Sequence, residues 1–402
     1  MKTTHILAAL LVALPLGFTV ACGGDGTEGS GLNLNNGGEG QGTWLPGQDD
    51  PKPEEETPEM TAYRLWNDGC GIQPAPTGVP VGYVPVNYTN PVYQANMVPD
   101  PSVIRVDGWF YLFATGNNVR MMKSKDLVHW TVISDAFTNA GRPAWNKKPD
   151  GSKAGLWAPD INYINGKYVL FYSLAGKDDA GNGYNGIGRA VSGKVEGPYT
   201  DLGMLIEPKT YGTQHVIDPF YFEFDRKKYL AWGSFWNIHL TELTDDGLNL
   251  KTPGDGTTKS IIHLANNKFE GTMMVKHGGY FYLIGSSGTT LKGYDSTYHL
   301  TAGRATTPLG PFYNRNGKKL TDSNVAGTTF LSGVPNKFIG TGHNAEFVTD
   351  EAGQTWVLYH AYVYGLSDTR RVLFLDKIIW DEDGWPMVAG GVASASAEAP
   401  VF

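Results

Sequence analysis

The chain is poor in cysteine, in charge and in helical patterning. Two cysteines, Cys22 and Cys70, in 402 residues exclude a disulfide framework and any cysteine-based metal centre. Charged residues make up 18% and the formal net charge is −8, which argues against nucleic acid as a partner. Past the first segment no run is apolar enough for a second membrane span, and no Gly-rich phosphate loop occurs. Apolar residues seldom recur at helical spacing. What remains is abundant: 52 glycines, 21 tyrosines, 17 phenylalanines and 11 tryptophans, the material of strands and turns.

The opening "MKTTHILAALLVALPLGFTVAC" has Lys2, an apolar stretch from Ile6 to Val20 and small residues before Cys22. It reads as a secretory signal over residues 1–21, too short for a spanning helix. Its last residues resemble a bacterial lipobox, with Thr19 where leucine is usual, which implies acylation of Cys22 and a membrane-anchored lipoprotein at the outer membrane or cell surface. With Cys22 lipidated, Cys70 has no partner in the chain and reads as a packed thiol. Residues 22–60, rich in Gly, Asn, Pro and acids, have almost nothing to bury and read as a disordered tether. Residues 61–402 are the expected globular domain, a monomer.

That domain repeats. "IRVDGWFYLF", "INYINGKYVLFY", "FYFEFDRKKYLAW", "MVKHGGYFYLIG" and "FVTDEAGQTWVLYH" are each a strand, a polar or Gly turn and an aromatic strand. They recur every roughly 50–75 residues, a spacing near that of propeller blades. The expected fold is all-β, a five-bladed β-propeller. Ahead of each turn stands a carboxylate: Asp100, Asp160, Asp218, Glu270 and Glu346. First strands line a propeller's channel, so these acids aim at one axis. The prolines flanking Asp100 predict an extended backbone there. Crowded carboxylates raise one another's pKa, so one stays protonated and another ionised, the division of labour that glycosidic-bond hydrolysis needs. Trp109, Trp157, Phe235, Trp236 and Tyr298 read as rim or channel aromatics able to pack on sugar faces.

The segments "PDPSVI", "WAPDI", "VIDPF", "GSFW", "FEGTMM", "YDSTYHLTAGRA" and "GTGHNAEF" together resemble glycoside hydrolase family 43, over residues 90–389. The resemblance implies an inverting hydrolase of O-glycosyl bonds, with Asp100 the general base, Glu270 the general acid and Asp218 tuning and orienting the acid. Within the family the chain is most similar to arabinanases, which implies cleavage of α-1,5-linked arabinan from plant cell walls. Trp157, Ser234, Phe235, Trp236, Ser296 and Tyr298 are then expected to contact substrate. A calcium or similar ion is expected near His343, with no organic cofactor. The chain departs from the arabinanase pattern after Glu270, where Gly271 stands in place of alanine, and after Trp236, which lacks the usual glycine two residues on. Two other readings remain: an exo-acting α-L-arabinofuranosidase or β-xylosidase on the same scaffold, and a non-catalytic sugar-binding propeller. Asp160 reads as a structural acid or a sugar-hydroxyl ligand.

Overall fold

In the computed structural model, residues 77–145, 155–177, 183–366 and 370–402 are described. The signal segment, Cys22, the tether and Cys70 lie outside them. After a short strand β1 (Asn87–Thr89) come five antiparallel sheets, each an up-and-down meander. Blade 1 is β2 (Ser102–Val106), β3 (Trp109–Ala114), β4 (Arg120–Ser124) and β5 (Thr131–Asp135). Blade 2 is β6 (Leu156–Ile164), β7 (Lys167–Lys177), β8 (Gly183–Ser192) and β9 (Thr200–Ile206). Blade 3 is β10 (Phe220–Phe224), β11 (Lys227–Trp232), β12 (Ile238–Leu243) and β13 (Ile262–Ala265). Blade 4 is β14 (Glu270–His277), β15 (Tyr280–Ser287), β16 (His299–Ala305) and β17 (Thr328–Leu331). In blade 5, β18 (Phe338–Gly342) and β19 (Val348–Thr349) both pair with β20 (Thr355–Val363), forming one interrupted inner strand, followed by β21 (Arg371–Trp380) and β22 (Pro386–Met387). The fold is therefore the expected five-bladed β-propeller, and every hairpin read from the sequence is present.

No single central core exists. Five apolar clusters each fill the seam between consecutive blades, for example Phe113, Leu170 and Tyr172 between blades 1 and 2, and Phe330, Tyr359 and Phe374 between blades 4 and 5. The ring closes where β1 pairs with the last strand, β23 (Ser396–Glu398). There the Asn90 side chain acts as a strand edge, its Nδ2 donating to Leu375 O at 2.8 Å and its Oδ1 accepting from Leu375 N at 3.0 Å.

Every inner strand is entered through a residue with positive φ: Asp100 (54°), Ala158 (38°), Asp218 (58°), Gly271 (54°) and His343 (44°). This corrects the extended backbone expected at Asp100. The left-handed turn is sterically costly for residues with a Cβ, and its repetition has a local cause. At each kink the backbone N–H leaves the strand ladder and donates sideways to a side chain. Ala158 N–H reaches Thr115 Oγ1 (2.8 Å), Asp218 N–H reaches Ser173 Oγ (2.9 Å), His343 N–H reaches Ser286 Oγ (2.8 Å) and Asp100 N–H reaches His360 Nδ1 (3.1 Å). The fifth, Gly271 N–H, reaches Asp218 Oδ2 at 3.1 Å. Each acceptor belongs to the preceding blade, blade 5 preceding blade 1.

A second belt lies one step deeper. Glu346 accepts from Ser102 Oγ (2.8 Å) and Val103 N (2.6 Å), and Ser102 Oγ in turn accepts from Ile161 N (3.1 Å). Asp160 accepts from Tyr221 N and Asn162 Nδ2, both at 2.8 Å, and hydrogen-bonds to Glu346. The five acids thus occupy two depths: Asp100, Asp218 and Glu270 belong to the kinks, whereas Asp160 and Glu346 stand beyond them and join blades. Burial and the neighbouring Glu346 push Asp160 well above the usual aspartate range, and burial pushes Glu346 up to about 7. Trp109 sits at the hairpin end of β3, away from the kinks, beneath Lys123 and Lys125. It is not the rim aromatic the sequence suggested, because strand direction carries the first residue of β3 to the opposite end of the blade.

Two outcomes follow for stability. Ser173→Ala leaves the buried Asp218 N–H without its acceptor and should lower the unfolding free energy by about 1–3 kcal/mol, read by denaturant titration; an unchanged midpoint would mean that the belt is not what holds the kinks. Glu346 keeps a proton in the folded chain to higher pH than in the unfolded one. That contribution is present below the ordinary glutamate range and is lost as pH rises through about 7. The thermal midpoint should therefore fall between about pH 5 and about pH 8 by a component missing from Glu346→Gln, and parallel curves for the two proteins would refute the proton retained on Glu346.

Candidate active site

Three kinks and the residue before one of them build the site. Asp100, Asp218 and Glu270 enter from blades 1, 3 and 4 and are all buried. Glu270 is the first residue of β14, and its successor Gly271 is where a side chain would not fit: a Cβ there would lie 2.8 Å from the His343 ring. The departure from the arabinanase pattern at this position thus coincides with His343 packing directly on the acid's strand.

Asp100 is surrounded by positive and donating groups. Its Oδ1 lies 3.0 Å from Arg371 Nη1, 3.3 Å from His343 Nδ1 and 3.5 Å from His360 Nδ1. Thr115 Oγ1 donates to its Oδ2 at 2.6 Å. Burial alone would push this carboxyl up, but Arg371, His343 and Thr115 outweigh it and hold it well below the usual range. Burial, reinforced by Arg371, keeps His360 far below the usual histidine range, so its neutral ring accepts the Asp100 N–H.

Asp218 experiences the reverse. Burial, then the charges of Glu270 and Asp100, push it well above the usual aspartate range, with only the Gly271 N–H and Arg371 opposing. Asp218 and Glu270 are two buried carboxyls that cannot both ionise cheaply, and Asp218 is pushed toward the protonated form where Asp100 is not. Ser234 Oγ donates to Glu270 Oε2 at 2.6 Å, so the hydroxyl expected to meet sugar is engaged in orienting this carboxyl. Tyr298 is buried beside Glu270 and stacks on His360 with centroids 5.8 Å apart; burial and the Glu270 charge push its phenol up.

Around this centre, Trp236 is 50% exposed and stacks on His215, with centroids 5.6 Å apart and planes 27° apart. Burial pulls His215 down, opposed by Glu270, which places that imidazole within the acid's field. Phe235 is half-buried, its N–H tied to Phe269 O at 2.9 Å. Trp157 is half-buried at the start of β6, opposite Ser173. Ser296 is buried and caps its own loop, accepting from Lys292 N at 3.2 Å. Arg371, His360, Thr115 and His215 were not anticipated. Arg371 meets Asp100 across 271 residues of chain, and no local motif announces such a contact.

Beneath the carboxyls a cavity of about 20 Å³ opens between Asp160, Asp218, His343, Asn344 and Glu346, room for about one water. Asn344 Oδ1 is buried there without a partner. Among the described residues no three His, Cys, Asp or Glu side chains cluster to hold a metal.

Comparison with known proteins agrees with this geometry. The sequence profile described as "Glycosyl hydrolases family 43" matches residues 88–386. An extracellular exo-alpha-(1→5)-L-arabinofuranosidase of Cellvibrio japonicus is 30% identical over 310 residues, 72% of this chain and 86% of that protein. An extracellular endo-alpha-(1→5)-L-arabinanase of Bacillus subtilis is 30% identical over 299 residues, 72% of this chain and 87% of that protein. The structure of a Cellvibrio cellulosa alpha-L-arabinanase complexed with arabinohexaose superposes with a TM-score of 0.63 at 27% identity, covering 73% of this chain and 96% of that one. Five blades, converging acids and a match over most of the folded residues lead to one statement: the chain belongs to glycosyl hydrolases family 43.

Proposed function

We propose that this protein hydrolyses α-1,5-linked arabinan by an inverting acid–base mechanism. The observation that carries the reading is the divergence among three adjacent buried acids, Asp100 held ionised and Asp218, beside Glu270, pushed toward the protonated form. Inversion needs a carboxylate to take a proton from water on one face of the sugar and a carboxylic acid to give one to the leaving oxygen on the other. Asp100 is the base. Arg371 and Thr115 fix its two oxygens, so the water it activates is placed by a carboxylate that cannot rotate. Glu270 is the acid, with one oxygen fixed by Ser234. Asp218 stands beside Glu270 and, by accepting the Gly271 N–H, fixes the backbone that carries the acid. Trp236, Phe235 and Trp157 supply aromatic faces to the sugar chain, whereas Tyr298 is buried against His360.

Relatives named as acting on 1,5-linked arabinose chains, one exo and one endo, support the substrate class. An exo mode or a β-xylosidase activity is the second reading. A calcium ion near the axis would have His343 and the unpartnered Asn344 Oδ1 as side-chain neighbours, water completing its shell; it would offset carboxylate charge, and no step above runs through it. The relatives' names include "extracellular", which supports export, and the lipobox-like sequence ending at Cys22 supports anchoring by lipid on the cell surface.

Product analysis on linear arabinan tests the substrate: a ladder of arabino-oligosaccharides supports endo cleavage, a single sugar supports exo action, and no product from arabinan or xylo-oligosaccharides would overturn catalysis. Glu270→Ala should cut kcat by about 10²–10⁴-fold while oligosaccharide binding persists; full activity would remove Glu270 from its role. The pH profile of kcat/KM should be bell-shaped, its acid limb below the ordinary aspartate range because Asp100 stays ionised there. In Asp218→Asn the competing negative charge is gone, so the proton needed for catalysis is lost at lower pH and the alkaline limb moves down. An unmoved limb would separate Asp218 from the proton economy of the site.

A further inference from the structure

Blade 3 carries a pair of imidazoles outside the active centre. His239 on β12 and His263 on β13 stand opposite each other across the strand pair, so both side chains leave the same face of the sheet. Their ring centroids are 5.6 Å apart and their planes 31° apart. That face is the seam toward blade 2, where Trp232 lies against His239 with centroids 4.8 Å apart. His239 is 4% exposed, whereas His263 reaches solvent.

The buried ring is unsatisfied. Both nitrogens of His239 are buried, and among the described residues neither has a hydrogen-bond partner. A neutral imidazole has one donor and one acceptor, and leaving them unmet in an apolar seam is costly. Burial, then His263, pull His239 down to about 4, so the ring is in the neutral form that ligates metals. His263 is oriented as a ligating imidazole usually is: the Ala265 backbone holds one ring nitrogen and leaves the other.

The surroundings select the chemistry of the ligand. Among the described residues no carboxylate or thiol completes a cluster of three around the pair, and Lys319 faces His263 with a positive charge. A hard cation such as calcium depends on oxygen ligands and on counter-charge, and nothing here supplies either. A first-row transition ion instead bonds neutral imidazole nitrogen directly. Two imidazoles on one tetrahedral ion, with bonds of about 2.0–2.1 Å, place their centroids roughly 5 Å apart, close to the spacing found.

We infer that His239 and His263 form a binding site for a divalent transition-metal ion of the zinc, nickel and copper group, held by two nitrogens and completed by water entering past His263. The site is separate from any ion at the axis and does not depend on the arabinan reading. Its position gives it a structural consequence. His239 follows Trp236 by three residues, and β13 runs on toward Glu270, so a bound ion would clip together the two strands behind both. An ion held by the folded chain alone also raises the thermal midpoint.

The test titrates zinc by calorimetry into metal-stripped full-length protein, with calcium in excess. His263→Ala removes an exposed ring, and His239→Gln removes the buried one. We expect the unmodified protein to take up one equivalent of zinc that both variants lack, and zinc to raise its thermal midpoint but not theirs. Copper bound at the same stoichiometry should show coupling to two nitrogens by electron paramagnetic resonance. Zinc uptake that is equal in the unmodified protein and His263→Ala, or absent from both, would overturn the site. A midpoint raised equally in the two proteins would do the same, by placing the ion elsewhere.

Discussion

The molecule depends on a hydrogen bond made five times around a ring. At each blade's entrance a left-handed kink turns one N–H out of its strand ladder, and a side chain of the preceding blade accepts it. A buried N–H without an acceptor is costly, so every blade fixes where the next begins. The kink also turns its residue's side chain toward the axis. Joint and active centre are one feature: Asp100, Asp218 and His343 are kink residues, and Glu270 precedes the fourth kink. At the seam between blades 3 and 4 the pattern changes. Ser234, placed where its counterparts catch an N–H, donates instead to Glu270, and the Asp218 carboxylate accepts the Gly271 N–H. One exchange of partners sets the proposed acid's rotamer and ties it to its neighbouring carboxyl.

Ring closure carries the other half of the electrostatics. Arg371 belongs to the last blade and Asp100 to the first; their contact at 3.0 Å stands beside Val98 N–H donating to Arg371 O at 2.9 Å. The strongly ionised carboxylate thus exists only when the two ends of the propeller meet. Among the described residues no cation pairs directly with Asp218, and burial beside Glu270 pushes it the opposite way. Acids of similar intrinsic strength are driven apart by which seam they occupy. The deeper Asp160–Glu346 pair shows the same physics without reaching solvent: both carboxyls accept backbone N–H bonds from neighbouring blades and serve assembly.

Much of this was legible in the sequence because it recurs. Five strand–turn–strand units, each with an acid ahead of its turn, specify a propeller and an axis before any side chain is placed. Repetition did not give depth along the axis. Asp160 looks like Asp100 in its proline frame, yet at the kink of blade 2 stands Ala158, and Asp160 follows two residues later, beyond the break in the strand's register. Period-two geometry makes such a shift invisible to a pattern of acids and prolines. Arg371, His360 and Thr115 were not legible, since their relation to Asp100 exists only through the closed ring. His215 was missed because its meaning comes from Trp236 on another loop. Ser234 was noticed for its neighbours in sequence, whereas its hydroxyl answers to Glu270.

Charge and surface are partitioned in a way that suits an uncharged polymer. The ionisable groups converge at the axis, buried and mutually compensated, where a low dielectric makes their differences large. The rim offers the opposite: Trp236 half in solvent and held flat by His215. A half-exposed tryptophan costs solvation unless something covers it, and a ring stack holds it ready for a flat, weakly polar face. Neutral contacts of this kind bind along a chain without competing with the field at the centre. The carboxyls then act only on the linkage that reaches them, and the seam hydrogen bonds that hold the blades determine which linkage that is.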